Sequence, residues 1–205
     1  MRFYGTERAT IELDGWFHPR ALAIPRTAEL ELDDDGRARV SLFAFHVDDL
    51  QIAGVPLVRA SYAELVWRVA VRTAGRIGWW VPACDLRSRR ARYVAEHEIH
   101  YPVRRSDVVV ELTAVRCVTD DGDLVISVGQ PEPDHVSPER RGMFTGPRAE
   151  WEVPWADDGS AGRIAPARVD VDSLSGATLG MSVTWAPVAL VRTGRLHGCG
   201  TSRPR

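Results

Sequence analysis

Tyr62-Ala63-Glu64-Leu65-Val66-Trp67-Arg68-Val69-Ala70-Val71-Arg72 alternates in the manner of a β-strand. Successive side chains of a strand point to opposite sides, so Leu65, Trp67, Val69 and Val71 fall on one face and Tyr62, Glu64, Arg68 and Arg72 on the other. The first face reads as core. The second is either turned to solvent or the polar lining of a cavity inside a barrel, where interior and exterior positions also alternate.

Downstream, Gly75-Arg76-Ile77-Gly78 turns the chain into a short apolar strand over 79–84. Trp79 and Trp80 alternate faces there, one for the core and one for a cavity wall. Ser88 opens a helix to about His100, with the serine as cap and good helix formers behind it; Tyr93 and Val94 leave a strand as the alternative. Pro102 ends the helix. A long strand over 107–118 follows, then Asp120-Asp121-Gly122-Asp123 as a hairpin turn and a return strand over 124–128.

Upstream, residues 28–32 and 37–47 alternate as strands around Asp33-Asp34-Asp35-Gly36, because Asp and Gly tolerate the positive φ of a tight hairpin. The acidic triplet lacks the ligand spacing of a calcium loop and reads as a solvated turn. Residues 1–27, with Trp16-Phe17-His18-Pro19 and Pro25, read as an irregular or edge-strand entry. Residues 129–154 shift to proline, glycine and charge, the composition of a lid or of a disordered excursion, with Trp151 and Trp155 at its end. Strands are expected over 167–171, 179–185 and 188–192, and a frayed tail over 201–205. The expectation is a single domain over 1–200.

At 205 residues, 44% apolar and 26% charged, the chain is a globular β-rich domain large enough for a sizeable core. The N-terminal residues show no signal-peptide core and no apolar run reaches the length of a membrane span, so the expected location is the cytoplasm, without a membrane partner. Cys84, Cys117 and Cys199 are too few and too irregular for a disulfide framework. All 26 basic residues are arginine. The absence of lysine excludes a protein-borne Schiff base, a pyridoxal phosphate anchor and a Walker-type phosphate loop. A net charge of -2 argues against a general nucleic-acid binder. No cofactor is expected.

Tyr62-Ala63-Glu64 with its strand, Gly78-Trp79-Trp80-Val81-Pro82, and Tyr101-Pro102 before a long strand together resemble the acetoacetate decarboxylase-like superfamily over residues 40–118. The resemblance implies a β-rich cone or barrel with an internal cavity, commonly a homo-oligomer. It covers decarboxylases and relatives that perform aldol or dehydration chemistry in specialised metabolism. In the decarboxylases a glycine-arginine-glutamate helix leads into aromatic-Pro-Lys, and that lysine forms the imine. Tyr101 and Pro102 match the aromatic and the proline, Ala95-Glu96-His97 matches the helix poorly, and Val103 stands where lysine would be. The chain thus reads as a divergent branch without the Schiff-base lysine. Neither Arg104 nor Arg105 can substitute, because guanidinium stays protonated and is a poor nucleophile.

Glu64 matches the superfamily's Tyr-x-Glu glutamate, which the resemblance places in the cavity. Beside Arg68 it is a general base or acid whose pKa balances desolvation against the arginine; the plainer alternative is a surface Glu-Arg pair. His97-x-x-His100, with Glu96 and Glu98 nearby, lacks a clear third ligand, so no metal is expected and His100 reads as an acid/base group at the cavity mouth. Arg87, Arg89, Arg90 and Arg92 read as solvated helix charge. Arg104 and Arg105 point to opposite sides of an extended segment, and the inward one is placed to hold a substrate carboxylate or enolate. Cys117 reads as packing. Gly198-Cys199-Gly200 has no strand-to-helix setting for a nucleotide loop.

The resulting expectation is a mainly β (α+β) protein, an antiparallel barrel or cone with one or two helices. Its catalytic candidates are Glu64 and His100. Its substrate-binding candidates are Tyr62, Arg68, Trp80, Tyr101, Arg104 and Arg105. The expected activity is cofactor-free acid/base catalysis on a small keto, enol or polyketide-like substrate, of lyase, cyclase or isomerase type. A non-catalytic small-molecule-binding protein with the same cavity is the alternative, and an interaction domain without a pocket is a weaker third.

Overall fold

A computed structural model of the chain describes residues 2–20, 22–52, 59–73, 75–99, 102–132, 143–145, 151–153 and 162–199. The first strand, β1 (Arg2–Phe17), is followed by the two-residue β2 (Glu29–Leu30), β3 (Ala38–Ile52), β4 (Arg59–Thr73) and β5 (Arg76–Leu86). A short helix, α1 (Arg89–Val94), runs into a π-helical turn, Ala95–Ile99. Then come β6 (Val103–Arg105), β7 (Asp107–Glu111), β8 (Ala114–Val118), β9 (Asp123–Val128), β10 (Met143–Thr145), β11 (Trp151–Val153) and β12 (Arg163–Asp172). A second short helix, α2 (Leu174–Leu179), precedes β13 (Thr184–Cys199).

These strands make one 13-stranded sheet in the order β11-β10-β5-β4-β3-β1-β13-β12-β9-β8-β7, with β2 added to β4 and β6 to β5. It curls into a nearly closed, mainly antiparallel barrel; β10 and β6 join β5 in parallel. The mainly β class with two short α-helices agrees with the sequence reading. Among the described residues no helix is long and apolar enough to cross a membrane.

Three segments differ from their sequence reading. The N-terminal stretch is no edge entry: β1 pairs with β3 on one side and β13 on the other, in the middle of the sheet. Its alternation of Ala9, Ile11 and Leu13 (all buried) with Thr10, Glu12 and Asp14 is the pattern of a central strand with one polar face. Residues 107–118 form a hairpin, not one long strand, with Glu111 paired to Ala114 around Leu112-Thr113. That loop has no Gly, Pro, Asn or Asp to announce it. The third difference is in 179–185, where Leu179 ends α2 and the chain reaches β13 only at Thr184. The 129–154 segment contains β10 and β11, with its remaining residues beyond 132, and the tail 201–205, outside the described residues.

Two apolar clusters lie on the two faces of the central strands. One joins Ile11, Leu13, Val40, Leu42, Leu65, Trp67 and Val69 to Val110, Val115, Leu124 and Ile126 of the β7–β9 hairpins, which fold across it. The other joins Phe43, Phe45, Val66, Trp79, Cys84 and Leu86 to Ala91 of α1 and Ala95 of the π-helical turn. Alternation along β4 therefore separates two environments, and Leu65, Trp67, Val69 and Val71 do form the core face. Ser88 caps α1 through its Oγ, which accepts from the Ala91 N–H at 3.3 Å and so satisfies one of the orphan donors of the first turn.

Candidate functional site

The other face of β4 carries Tyr62, Glu64, Val66, Arg68 and Ala70. Strand register extends it sideways in rungs. Glu64 pairs with Phe45 on one side and Leu86 on the other, Val66 with Phe43 and Cys84, and Arg68 with Ser41. Phe45 in turn pairs with Thr10, and Thr10 with Arg192 of β13. All of these side chains except Tyr62 are buried, so the face is an enclosed layer and not a solvated surface.

Glu64 is 8% exposed and surrounded by Phe45, Leu86 and the Val66–Cys84 rung. Burial raises its pKa to about 8, because desolvation penalises the ionised form. Its carboxyl is consequently protonated at neutral pH, a hydrogen-bond donor. Tyr62 is half-buried beside it and meets Phe45 edge-on, with ring centroids 5.8 Å apart.

Arg68 does not tune Glu64. It lies four residues away on the same strand, about 13 Å along the backbone. Its Nη2 donates to Glu12 Oε1 at 2.6 Å and to Ser41 Oγ at 2.7 Å. The guanidinium also covers the rings of Phe43 (4.8 Å) and Trp79 (5.0 Å). Arg39, ion-paired to Asp14, approaches the same Trp79 ring at 5.2 Å. A cleft of about 160 Å³ lined by Trp16, Glu31, Leu32, Asp33, Arg37 and Arg39 lies at this end.

The two tryptophans separate as alternation requires, in the opposite sense to the choice of Trp80 as a site residue. Trp79 belongs to the cluster on Glu64's face, and Trp80 packs into the core beneath it. Arg104 and Arg105 also point to opposite sides. Arg104 stands beside Asp85 and Arg105 beside Leu86. Arg104 faces away from Glu64: its Nε and Nη2 clamp the fully buried Asp85 carboxylate at 2.9 and 2.6 Å, and its Nη1 donates to Thr178 Oγ1 of α2 at 2.9 Å. Trp67 Nε1 (3.0 Å) and Ser106 Oγ (2.7 Å) complete the shell of Asp85. Arg105 is the one on Glu64's side, two strands away and exposed.

Val103 packs, half-buried, against the Phe45–Cys84–Leu86 cluster. Position 103 thus faces Glu64's layer and is filled by an isopropyl group. His100 and Tyr101 lie outside the described residues. His97 is exposed, with Nδ1 3.0 Å from the Tyr93 carbonyl and its ring stacked on Tyr93. Burial pushes the thiols of Cys84 and Cys117 upward, consistent with packing roles.

Sequence reading missed Glu12, Ser41, Asp14, Arg39 and Asp85. Glu12 and Asp14 carried a signal, since alternation in β1 sets them on one polar face. Asp85 carried none. A second buried polar group, Glu7, Thr10 and Arg192, was also missed; Thr10 donates to Glu7 there.

No protein-family model matches the chain, and no curated protein matches its sequence. Solved structures do match its shape. An acetoacetate decarboxylase-like enzyme from Sphingomonas wittichii RW1 superposes with a TM-score of 0.65 at 13% identity, over 99% of this chain and 92% of that one. The fold is that of the acetoacetate decarboxylase-like proteins. The enduracididine biosynthesis enzyme MppR shares this fold with a TM-score of 0.61 at 11% identity, over 99% and 87% of the two chains. The acetoacetate decarboxylase of Legionella pneumophila shares it at 0.58 and 13%, over 98% and 87%. MppR has been seen with pyruvate and with the condensation product of pyruvate and imidazole 4-carboxaldehyde.

Proposed function

We propose that the protein is a cofactor-free enzyme that uses Glu64 as a general acid, and its conjugate base in the return step, on a small keto or enol compound. The observation that carries this reading is a carboxyl group buried among Phe45, Leu86 and Cys84 with no ion-pair partner among the described residues. A protonated carboxyl in such surroundings gives its proton to a carbonyl oxygen as water takes the α-proton, and the carboxylate so formed takes the enol proton back in the return step. Its raised pKa of about 8 keeps both protonation states accessible near neutral pH. Imine chemistry is excluded for the protein's own side chains, since it has no lysine.

Arg105 is the arginine suited to hold an anionic end of the substrate, about 10 Å from Glu64 across two strand spacings. The ligands of MppR, pyruvate and its condensation product, belong to the same keto class and support the substrate type. Dehydration of a β-hydroxy ketone, aldol-type cyclisation and isomerisation next to a carbonyl pass through such an enol.

The test is α-proton exchange. Ketones and α-keto acids are incubated with the protein in deuterium oxide and exchange is followed by proton NMR. Wild type accelerates exchange of at least one compound and Glu64→Gln does not. Exchange at the uncatalysed rate with both proteins, with a ligand shown to bind, assigns the chain to a binding protein instead, and equal acceleration by both removes Glu64 from the chemistry.

A further inference from the structure

Two of the arginines after β5, Arg89 and Arg90, share one exposed stripe of α1 with an aromatic residue. Ala91 and Ala95 are buried against the sheet. Arg89, Tyr93 and His97, spaced four apart, follow one another on the outer side, with Arg90 three residues before Tyr93. Tyr93 is 62% exposed and its ring stacks on His97 with centroids 4.3 Å apart and planes 17° from parallel. Pairing of Leu86 with Arg105 brings a further arginine to the end of β5 from which α1 starts. Among the described residues only Asp107 pairs with any of Arg87, Arg89, Arg90 and Arg105, touching Arg87 at 3.3 Å where both side chains are largely exposed. Such a pair neutralises little.

One carboxylate needs one guanidinium fork; four arginines with a single weak ion pair among them suit a group of higher charge. Phosphates fit this, and a large exposed aromatic one helical turn away, about 6 Å along the axis, offers a flat ring on which a base stacks. The stripe also adjoins the Glu64–Leu86–Arg105 rung, which leads from the surface to the buried acid. We propose that Arg87, Arg89, Arg90 and Arg105 bind the phosphates, and Tyr93 the base, of a nucleotide handle whose other end extends towards Glu64. This deepens the keto/enol reading only in that last respect; the nucleotide site stands on the stripe itself.

The full chain is titrated calorimetrically at low salt with pyrophosphate, ADP and coenzyme A. Wild type binds all three, with the two nucleotides tighter than pyrophosphate. Arg89→Ser with Arg90→Ser weakens all by about tenfold or more, the scale of losing charge-assisted hydrogen bonds. Tyr93→Ala brings ADP down to the level of pyrophosphate. Coenzyme A binding at least as well as ADP identifies a thioester-type carrier as the source of the handle, and ADP binding better identifies a free nucleotide. Glu64→Gln keeps nucleotide affinity while it abolishes α-proton exchange, so the two readings fail separately. Absence of binding at millimolar ligand overturns the proposal. So does nucleotide binding that survives the arginine changes, or an ADP preference untouched by Tyr93→Ala.

Discussion

Val103 lies directly beside Cys84 in the parallel pairing of β6 with β5, on the face of the sheet that carries Glu64. A side chain at 103 is therefore delivered by strand register to Glu64's layer, one rung along from the acid. Val103→Lys should place an amine there, with its pKa lowered by burial. Treatment with a β-keto acid and borohydride should add the reduced imine to the variant, read by intact-protein mass spectrometry and located at position 103 by peptide mapping. Wild type, whose only amine is the chain terminus, should give no adduct at that position. A folded variant that stays unlabelled would show that position 103 does not open to ligand.

The raised pKa of Glu64 links stability to pH with a definite sign. In the unfolded chain the carboxyl titrates near 4.5, and in the native protein near 8. Between those values the native state holds a proton that the unfolded state has lost. Stability from this group is therefore full below about 4.5 and declines as pH rises through 8, levelling off above it. Glu64→Gln removes this dependence. Denaturant unfolding from pH 5 to 9 should show wild type losing up to a few kcal/mol more than the variant. Parallel pH profiles for the two proteins would count against the burial of an uncompensated carboxyl.

The strands around Glu64 were legible because their periodicity is local: alternation in β4 separated Leu65, Trp67, Val69 and Val71 from Glu64 and Arg68, and Asp33–Gly36 announced its turn. There Gly36 has φ +72°, and Asp33 Oδ1 accepts from the Arg37 N–H at 2.8 Å. Parity also put Arg104 and Arg105 on opposite sides, and Trp79 and Trp80 likewise. Which member faces Glu64 was not legible. That depends on the register of β6 against β5, fixed by the Asp85–Arg104 pair across 19 residues. The partner of Arg68 was hidden for the same reason, since Glu12 reaches it from a strand 56 residues away.

Two glycines of the α2 region should respond in opposite directions to alanine. Gly180 ends α2 with φ +71°, its N–H bonded to the Gly176 carbonyl at 2.9 Å. A Cβ there meets no neighbour, so Gly180→Ala should cost about 1 kcal/mol through backbone conformation alone. Gly176 is helical and equally uncrowded, and Gly176→Ala should stabilise by roughly 0.5–1 kcal/mol. Chemical denaturation of both variants checks the pair; equal signs would contradict the left-handed cap.

Asp85 and Arg104 should behave as one unit. The carboxylate is completely buried and holds β6, α2 and Trp67 together through Arg104, Thr178 and Ser106. Removing the arginine leaves the carboxylate buried without its counterion, at a cost of about 3–5 kcal/mol, whereas removing the carboxylate leaves a guanidinium that is still partly exposed. Arg104→Met should destabilise on that scale, Asp85→Asn by less, and the double variant by clearly less than their sum. Arg105→Met, one residue along but exposed, should change stability by no more than about 0.5 kcal/mol. It should nevertheless weaken binding of anionic ligands, which Arg104→Met affects only through lost stability. Unfolding curves paired with ligand titrations separate the two arginines. Equal stability losses for Arg104→Met and Arg105→Met would overturn the opposed orientation of their side chains.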